Sequence, residues 1–208
     1  MNVDAARAEV LALMQALEEE PHHVQHVSRL AVQLFDALEE LHHLGDHDRL
    51  LLESAGLLHD IGWSVARDGK GHHRESARLI REHSWTVFNA ESVTLLAQVA
   101  RYHRKSMPTL EHEEFAALSP AERLRVQQLA ALLRLADGLD RSHQQLVKEL
   151  SVELQPGRII LRLLTERAAS RELAAAEKKA DLARSVFQCE VEFIQLPLPA
   201  ENGGGPTA

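Results

Sequence analysis

The run Leu50-Leu51-Leu52-Glu53-Ser54-Ala55-Gly56-Leu57-Leu58-His59-Asp60-Ile61-Gly62 decides the fold. Its leucines crowd most of a helix circumference, which predicts a helix over ~47–59 that is buried on most sides. Ile61-Gly62 then breaks the pattern. At the helix end stands the pair His59-Asp60, costly to bury without partners. Neighbouring residues on a helix point about 100° apart, so the two cannot both face one ion squarely from a straight helix. The short Asp60 can instead lie between two ion positions, with His59 serving one of them. Alone, such a dyad is ordinarily a hydrogen bond at a helix end.

Outward from this run the spacing stays helical. Val10, Leu11, Met14 and Leu17 predict a first helix that Pro21 stops or restarts, and Val24, Val27, Ala31, Leu34 and Leu38 predict a second over ~22–43. Gly45 suits a C-terminal cap and Asp46 the start of the next helix. Asp68-Gly69-Lys70-Gly71 predicts a loop, followed by helices over ~74–83 and ~90–104 and a polar connection over 105–118. Ser119-Pro120-Ala121-Glu122 opens a helix expected to reach about Gln145. The period then changes. Leu150, Val152 and Leu154 alternate as in a strand, Pro156-Gly157 is a turn, and Ile159 to Leu164 is a second strand. A helix over ~170–187 and a strand through Val191 and Phe193 complete a β-β-α-β unit. The expected fold is mostly α, a helical bundle over 1–147, with a β-β-α-β unit over 148–196 and a disordered tail over 197–208: α+β overall.

With 45% hydrophobic residues, 208 residues can bury a sizeable core. A lone cysteine, Cys189, excludes an internal disulfide framework. With no basic-then-apolar leader after Met1, it predicts a reducing, cytoplasmic setting. No run approaches the roughly 18 apolar residues of a membrane span. The net charge of -8 speaks against coating a nucleic-acid polymer through the overall field, although bound ions reverse the sign locally for an anionic substrate. All 13 histidines lie at or before His143, and a solvated surface would not segregate one residue type in this way. The bias implies a metal-rich first part and a chemically different tail.

His26 lies beside the Val27–Leu30 stripe of the second helix. Asp137 ends the apolar run Leu132-Leu133-Arg134-Leu135-Ala136, where a carboxylate needs a cation. Separately these read as a hydrogen-bonded core histidine and an i,i+4 ion pair with Arg141. With His59-Asp60 they form a hard nitrogen-and-oxygen set suited to Mn, Fe, Mg, Ni, Co or Zn. His22 and His23 read as solvated, although His22 and His26 can share a face. His42, His43 and His47 read as surface residues around Gly45, His83 as a reserve ligand, His112 as a loop residue and His143 as a helix-end cap. Trp63 and Trp85 are expected to pack on the core, Tyr102 to support a ligand from behind, and Cys189 to be structural.

The pattern His26 … His59-Asp60 … Asp137 resembles the HD superfamily of metal-dependent phosphohydrolases. Leu57-Leu58-His59-Asp60-Ile61-Gly62, Gly71-His72-His73, Arg101-Tyr102-His103-Arg104-Lys105, Phe115-Ala116-Ala117-Leu118-Ser119-Pro120 and Leu132 to Arg141 resemble the C-terminal region of the exopolyphosphatase/guanosine pentaphosphatase family. The similarity covers about residues 20–195. It implies two further ligands: His103, and His73 with His72 as its rival. The implied site has the form His, His-Asp, His, His, Asp, with His59 and Asp60 catalytic and Asp60 bridging two ions. Lys70, Arg104 and Lys105 are the expected phosphate holders. Glu75 stands where the family has a histidine, which leaves open whether it is a ligand or a base. The family's N-terminal catalytic domains have no counterpart in these residues, so the resemblance does not extend to exopolyphosphatase activity.

The expected function is hydrolysis of a phosphate ester or anhydride in a small phosphorylated molecule, such as a nucleotide or a polyphosphate-like compound. One or two divalent ions would lower the pKa of a bridging water and neutralise phosphate charge. Two other readings use the same ligands. One is a non-catalytic, metal- and phosphate-binding regulatory module, marked by bound ion without turnover. The other is a di-iron oxygenase, marked by oxygen consumption. The strand edges of the tail can pair across a homodimer.

Overall fold

The computed structural model describes residues 2–66 and 70–198. The chain runs through helices α1 (Val3–Leu17), α2 (Pro21–Ala37), α3 (Glu39–His42) and α4 (Asp46–Leu58), then a 3-10 turn (Ile61–Ser64). Helices α5 (His72–Glu82), α6 (Ala90–Arg101), α7 (Glu113–Ala116) and α8 (Pro120–Gly138) follow. Strands β1 (Val147–Gln155) and β2 (Arg158–Thr165), helices α9 (Ser170–Lys179) and α10 (Asp181–Phe187), and strand β3 (Glu190–Pro197) complete it. The fold is mostly α with a small three-stranded sheet at the C-terminal end, hence α+β. No described helix is long and apolar enough to cross a membrane.

Helix α8 is the axis of the molecule. Leu129 to Ala136 are all buried, as expected of a helix that is apolar on every side. It packs on α2, α4, α6, α9 and α10. Its start is the capping box anticipated at Ser119: the Ser119 side chain accepts from Glu122 N, and the Glu122 side chain accepts from Ser119 N at 2.7 Å. Its end comes earlier than Gln145. Asp140 Oδ1 accepts from Gln145 N at 2.7 Å, an aspartate side chain taking over a backbone donor. His143 and Gln145 adopt left-handed φ values of 56° and 52°, which turn the chain toward β1.

Helix α2 also stops earlier than expected, at Ala37, because Leu38 leaves helical geometry. His42 is buried rather than a surface residue. Its ring bonds Phe35 O at 2.8 Å and accepts from Leu44 N at 2.9 Å, which closes the turn between α3 and α4. The connection over 105–118 contains α7, and the expected helix over ~170–187 divides at Ala180 into α9 and α10. Lys70 and Gly71 form a turn, while Asp68 and Gly69 of the expected loop, and residues 199–208 of the expected tail, lie outside the described residues.

The sheet has the order β1-β2-β3. β1 and β2 are an antiparallel hairpin in which Leu154 faces Ile159 and Leu150 faces Leu163. β3 pairs with β2 in parallel, Ile159 with Val191 and Leu161 with Phe193. A parallel pair needs a crossover, and α9 and α10 supply it. The apolar core runs without interruption from α1 through α8 into Val147, Ile159, Leu161, Leu163, Ala176, Ala180 and Leu182.

The crossover meets α8 at Gly138. A Cβ there would lie 2.7 Å from Ala176 Cα and 2.9 Å from Ala176 N, both backbone atoms that cannot rotate aside. Gly138→Ala is expected to cost about 1–3 kcal/mol in urea unfolding, the range of overpacked cores. Gly45→Ala, with no atom within 4 Å of its added Cβ, meets no clash and is expected to cost less, about 0.5–1 kcal/mol, through the poorer cap that alanine makes at the start of α4.

Candidate metal centre

Helix ends converge below α8. His23 lies in the first turn of α2, His59 and Asp60 follow the last turn of α4, His72 opens α5, His103 follows α6, and Asp137 lies in the last turn of α8. Four of these six places are helix C-terminal ends, whose carbonyl dipoles favour positive charge between them. Ligand atoms of these residues form three overlapping groups, each within 4.8 Å: His23, His59 and Asp60; His59, His103 and Asp137; Asp60, His72 and His103.

The ring orientations are set by the backbone. His59 Nδ1 donates to Gly56 O at 2.8 Å, and His103 Nδ1 donates to Ala100 O at 2.7 Å. Each ring folds back onto the carbonyl three residues before it. The proton is thereby placed on Nδ1, and the Nε2 lone pair turns inward. His23 reaches the same state through a side chain: its Nδ1 donates to Asp140 Oδ2 at 2.9 Å, and Asp140 is fully buried. His143 stacks on the His23 ring at 3.8 Å and is itself paired with Glu20. His72 is placed through Gly62, whose N donates to Ser76 Oγ at 2.9 Å. A Cβ on Gly62 would lie 2.1 Å from His72 O, so only glycine lets the turn after Asp60 press against α5.

Lone pairs thus face carboxylates. His72 Nε2 lies 3.2 Å and His103 Nε2 3.4 Å from Asp60 Oδ1, His59 Nε2 lies 3.6 Å from Asp60 Oδ2, and His23 Nε2 lies 3.8 Å from Asp137 Oδ1. His23 Nε2, His59 Nε2 and Asp60 Oδ1 are buried without a hydrogen-bond partner. Burial alone would raise the Asp60 carboxyl, but the His59, His72 and His103 rings outweigh it and hold it well below the usual carboxylate range. Burial would also raise Asp137, yet Lys179, then His103 and His59, hold it low. Burial, reinforced by His59, pushes His103 well below its ordinary value, so the ring is in its neutral, ligating form at neutral pH. Inward lone pairs beside two ionised carboxylates fit a divalent cation and nothing apolar.

The cation expected beside Asp137 comes from Lys179 of α9, which is paired with Asp137 Oδ2. Arg104 Nη1 donates to His72 Nε2 at 2.9 Å. Both cations line a cleft of about 560 Å³ together with Lys105, Arg141, Lys178, Glu18, Glu19 and Glu20. Buried Arg134 holds the turn that carries two of them, donating to the carbonyls of Tyr102 at 3.3 Å and Lys105 at 3.4 Å. Trp63 does not pack into the core. It is exposed at the cleft and stacks on His72 at 4.1 Å.

Of the residues singled out from sequence, His59, Asp60, His103 and Asp137 come together, and Arg104 and Lys105 line the cleft. His26 and His73 lie outside the three groups. His26 is buried on α2 one turn beyond His23, where its Nδ1 accepts from Arg29 at 3.0 Å. His73 faces a small hollow with Arg74, Arg101 and Arg104. Lys70 is exposed on its turn, outside the cleft lining. Glu75 pairs with Arg78 at 2.8 Å. His23, expected from the sequence to be solvated, is buried in the centre, held by Asp140, and Lys179 of α9 joins it there, two residues that no sequence pattern marks.

Burial pushes both His26 and His73 down to about 4. In the unfolded chain these rings titrate near 6.5. Between about pH 6.5 and 4 the unfolded state therefore binds more protons, and stability falls as pH is lowered through that window. Urea midpoints measured at successive pH values should fall across it, and His26→Gln should flatten the slope. An unchanged slope would contradict the neutral buried state of His26.

The sequence matches the family described as Ppx/GppA phosphatase, domain III, over residues 7–181. The matched span runs from α1 to the first residue of α10 and contains all six clustered residues. The chain belongs to the Ppx/GppA phosphatase family, as a representative of its domain III.

Proposed function

We propose that this domain binds divalent metal within the cluster of His23, His59, Asp60, His72, His103 and Asp137, in the manner of the HD superfamily, and hydrolyses a phosphate ester or anhydride. The observation that carries the reading is the set of inward Nε2 lone pairs. The Nδ1 protons of His59, His103 and His23 are committed to acceptors on the far side of each ring, so a cation beyond the Lys179 ammonium already paired with Asp137 is needed between these rings and Asp60. Such an ion, when bound, lowers the pKa of a coordinated water and neutralises charge on a phosphoryl group.

The chain's own residues do the rest. Arg104, Lys105, Arg141 and Lys178 offer N–H donors to phosphate oxygens across the cleft. Arg134 keeps the Arg104-Lys105 turn in place through the two carbonyls it holds. Asp140 keeps the proton of His23 on Nδ1. The cleft suits a small phosphorylated molecule, and Trp63 offers it an aromatic wall.

Protein purified without chelator is expected to carry transition metal on elemental analysis, and Asp60→Ala to lose it. A screen of phosphate esters and anhydrides with added Mn, Co or Ni should give turnover that Asp60→Ala abolishes. Metal without turnover on any compound would favour the regulatory module, and no metal under any loading condition would sink the reading. Asp140→Asn should weaken metal binding roughly 10–100-fold with the fold intact, the usual cost of losing a carboxylate behind a histidine ligand.

A further inference from the structure

We infer that the centre takes a single divalent ion, at His23, His59 and Asp60, and that Lys179 and Arg104 stand in for a second. This rests on the metal-binding reading above and concerns how the three overlapping groups share positive charge.

The groups are not equivalent. Each residue of the first has a buried atom without a hydrogen-bond partner: His23 Nε2, His59 Nε2 and Asp60 Oδ1. The second group contains Asp137, whose Oδ2 is engaged by the Lys179 ammonium. The third contains His72, whose Nε2 accepts from the Arg104 guanidinium at 2.9 Å. Each alternative position is therefore held by a protein cation, and among the described residues the first is held by none.

Those cations are built into the fold. Lys179 ends α9, which lies against α8 at the Gly138–Ala176 contact. Two residues on, Asp181 is fastened to buried Arg134 at 2.8 and 3.1 Å. Arg104 rides on the turn that the same Arg134 holds. A dication entering either of the other groups would meet a fixed positive charge a few ångströms away and lose a ligand atom to it. A phosphate entering the cleft would meet one ion and two sets of N–H donors, since both side chains line it. Lys179 comes from the crossover between β2 and β3, so the C-terminal unit supplies part of the centre.

The test is Mn(II) binding, followed by calorimetry and by electron paramagnetic resonance, in the wild type, Lys179→Arg, Lys179→Met and Arg104→Met. Thermal melts establish that each variant is folded. The wild type and Lys179→Arg should bind one Mn(II) per chain with the spectrum of an isolated ion. Lys179→Met should bind Mn(II) about tenfold or more tightly, or take up a second ion with a spin-coupled spectrum. Arg104→Met, outside the helical core, should shift in the same direction and serves if Lys179→Met does not fold. Two coupled ions in the wild type, or no change in either methionine variant, would overturn the inference and leave the metal site standing. No Mn(II), Fe(II), Co(II) or Zn(II) bound by the wild type would overturn both.

Discussion

Two carboxylates and four imidazoles cannot share a buried space a few ångströms across unless positive charge is held among them. Almost every local feature of this domain follows from that constraint. Asp60 and Asp137 are ionised, His103 is neutral, and the proton of each of three rings is tied up behind it. Stripped of compensating cations, such an arrangement would cost several kcal/mol for each charge taken out of water. The helices around it therefore end where they do. The C-terminal ends of α4, α6 and α8 lie at the cluster, and the Gly56 carbonyl of α4 and the Ala100 carbonyl of α6 fix the rings that follow them.

The apolar part of the fold serves to hold these ends together. From Leu129 to Ala136 α8 is buried on all sides, so its last turn has nowhere to move, and Asp137 is delivered to a fixed point. Glycine at 62 and at 138 removes the side chain that would separate the turn after Asp60 from α5, and α8 from α9. The sheet lies farther off, yet its parallel pairing obliges the chain to cross back over α8, and that crossing brings α9 with its lysine.

What could be read in the sequence divides along the same line between local and distant causes. The capping box at Ser119, the strand alternation from Leu150 and the apolar run ending in His59-Asp60 are set by neighbours in the chain, and each is legible. The choice between His23 and His26 is not. Both are buried on α2, three residues apart, and what separates them is Asp140, which reaches the His23 ring from the far end of α8. His72 and His73 are adjacent on one helix. Which of them faces Asp60 depends on how α5 is set against Gly62 and thus on a contact between two segments. Lys179 sits in Glu177-Lys178-Lys179, and Glu18 in Glu18-Glu19-Glu20, charge runs of the kind that normally cover a solvated face. Only the topology shows that Lys178, Lys179 and all three glutamates line the cleft.

The crossover has a consequence for the order of assembly. His59, Asp60 and Asp137 are gathered by α4 and α8 without any part of the sheet. Lys179 arrives only when α9, which follows the β1-β2 hairpin in the chain, packs on α8. In a chain growing from its N-terminus the acidic and imidazole ligands are therefore made before the lysine. At that stage the centre would be open from the side that α9 later covers, so an ion could enter from a direction closed to it in the finished domain.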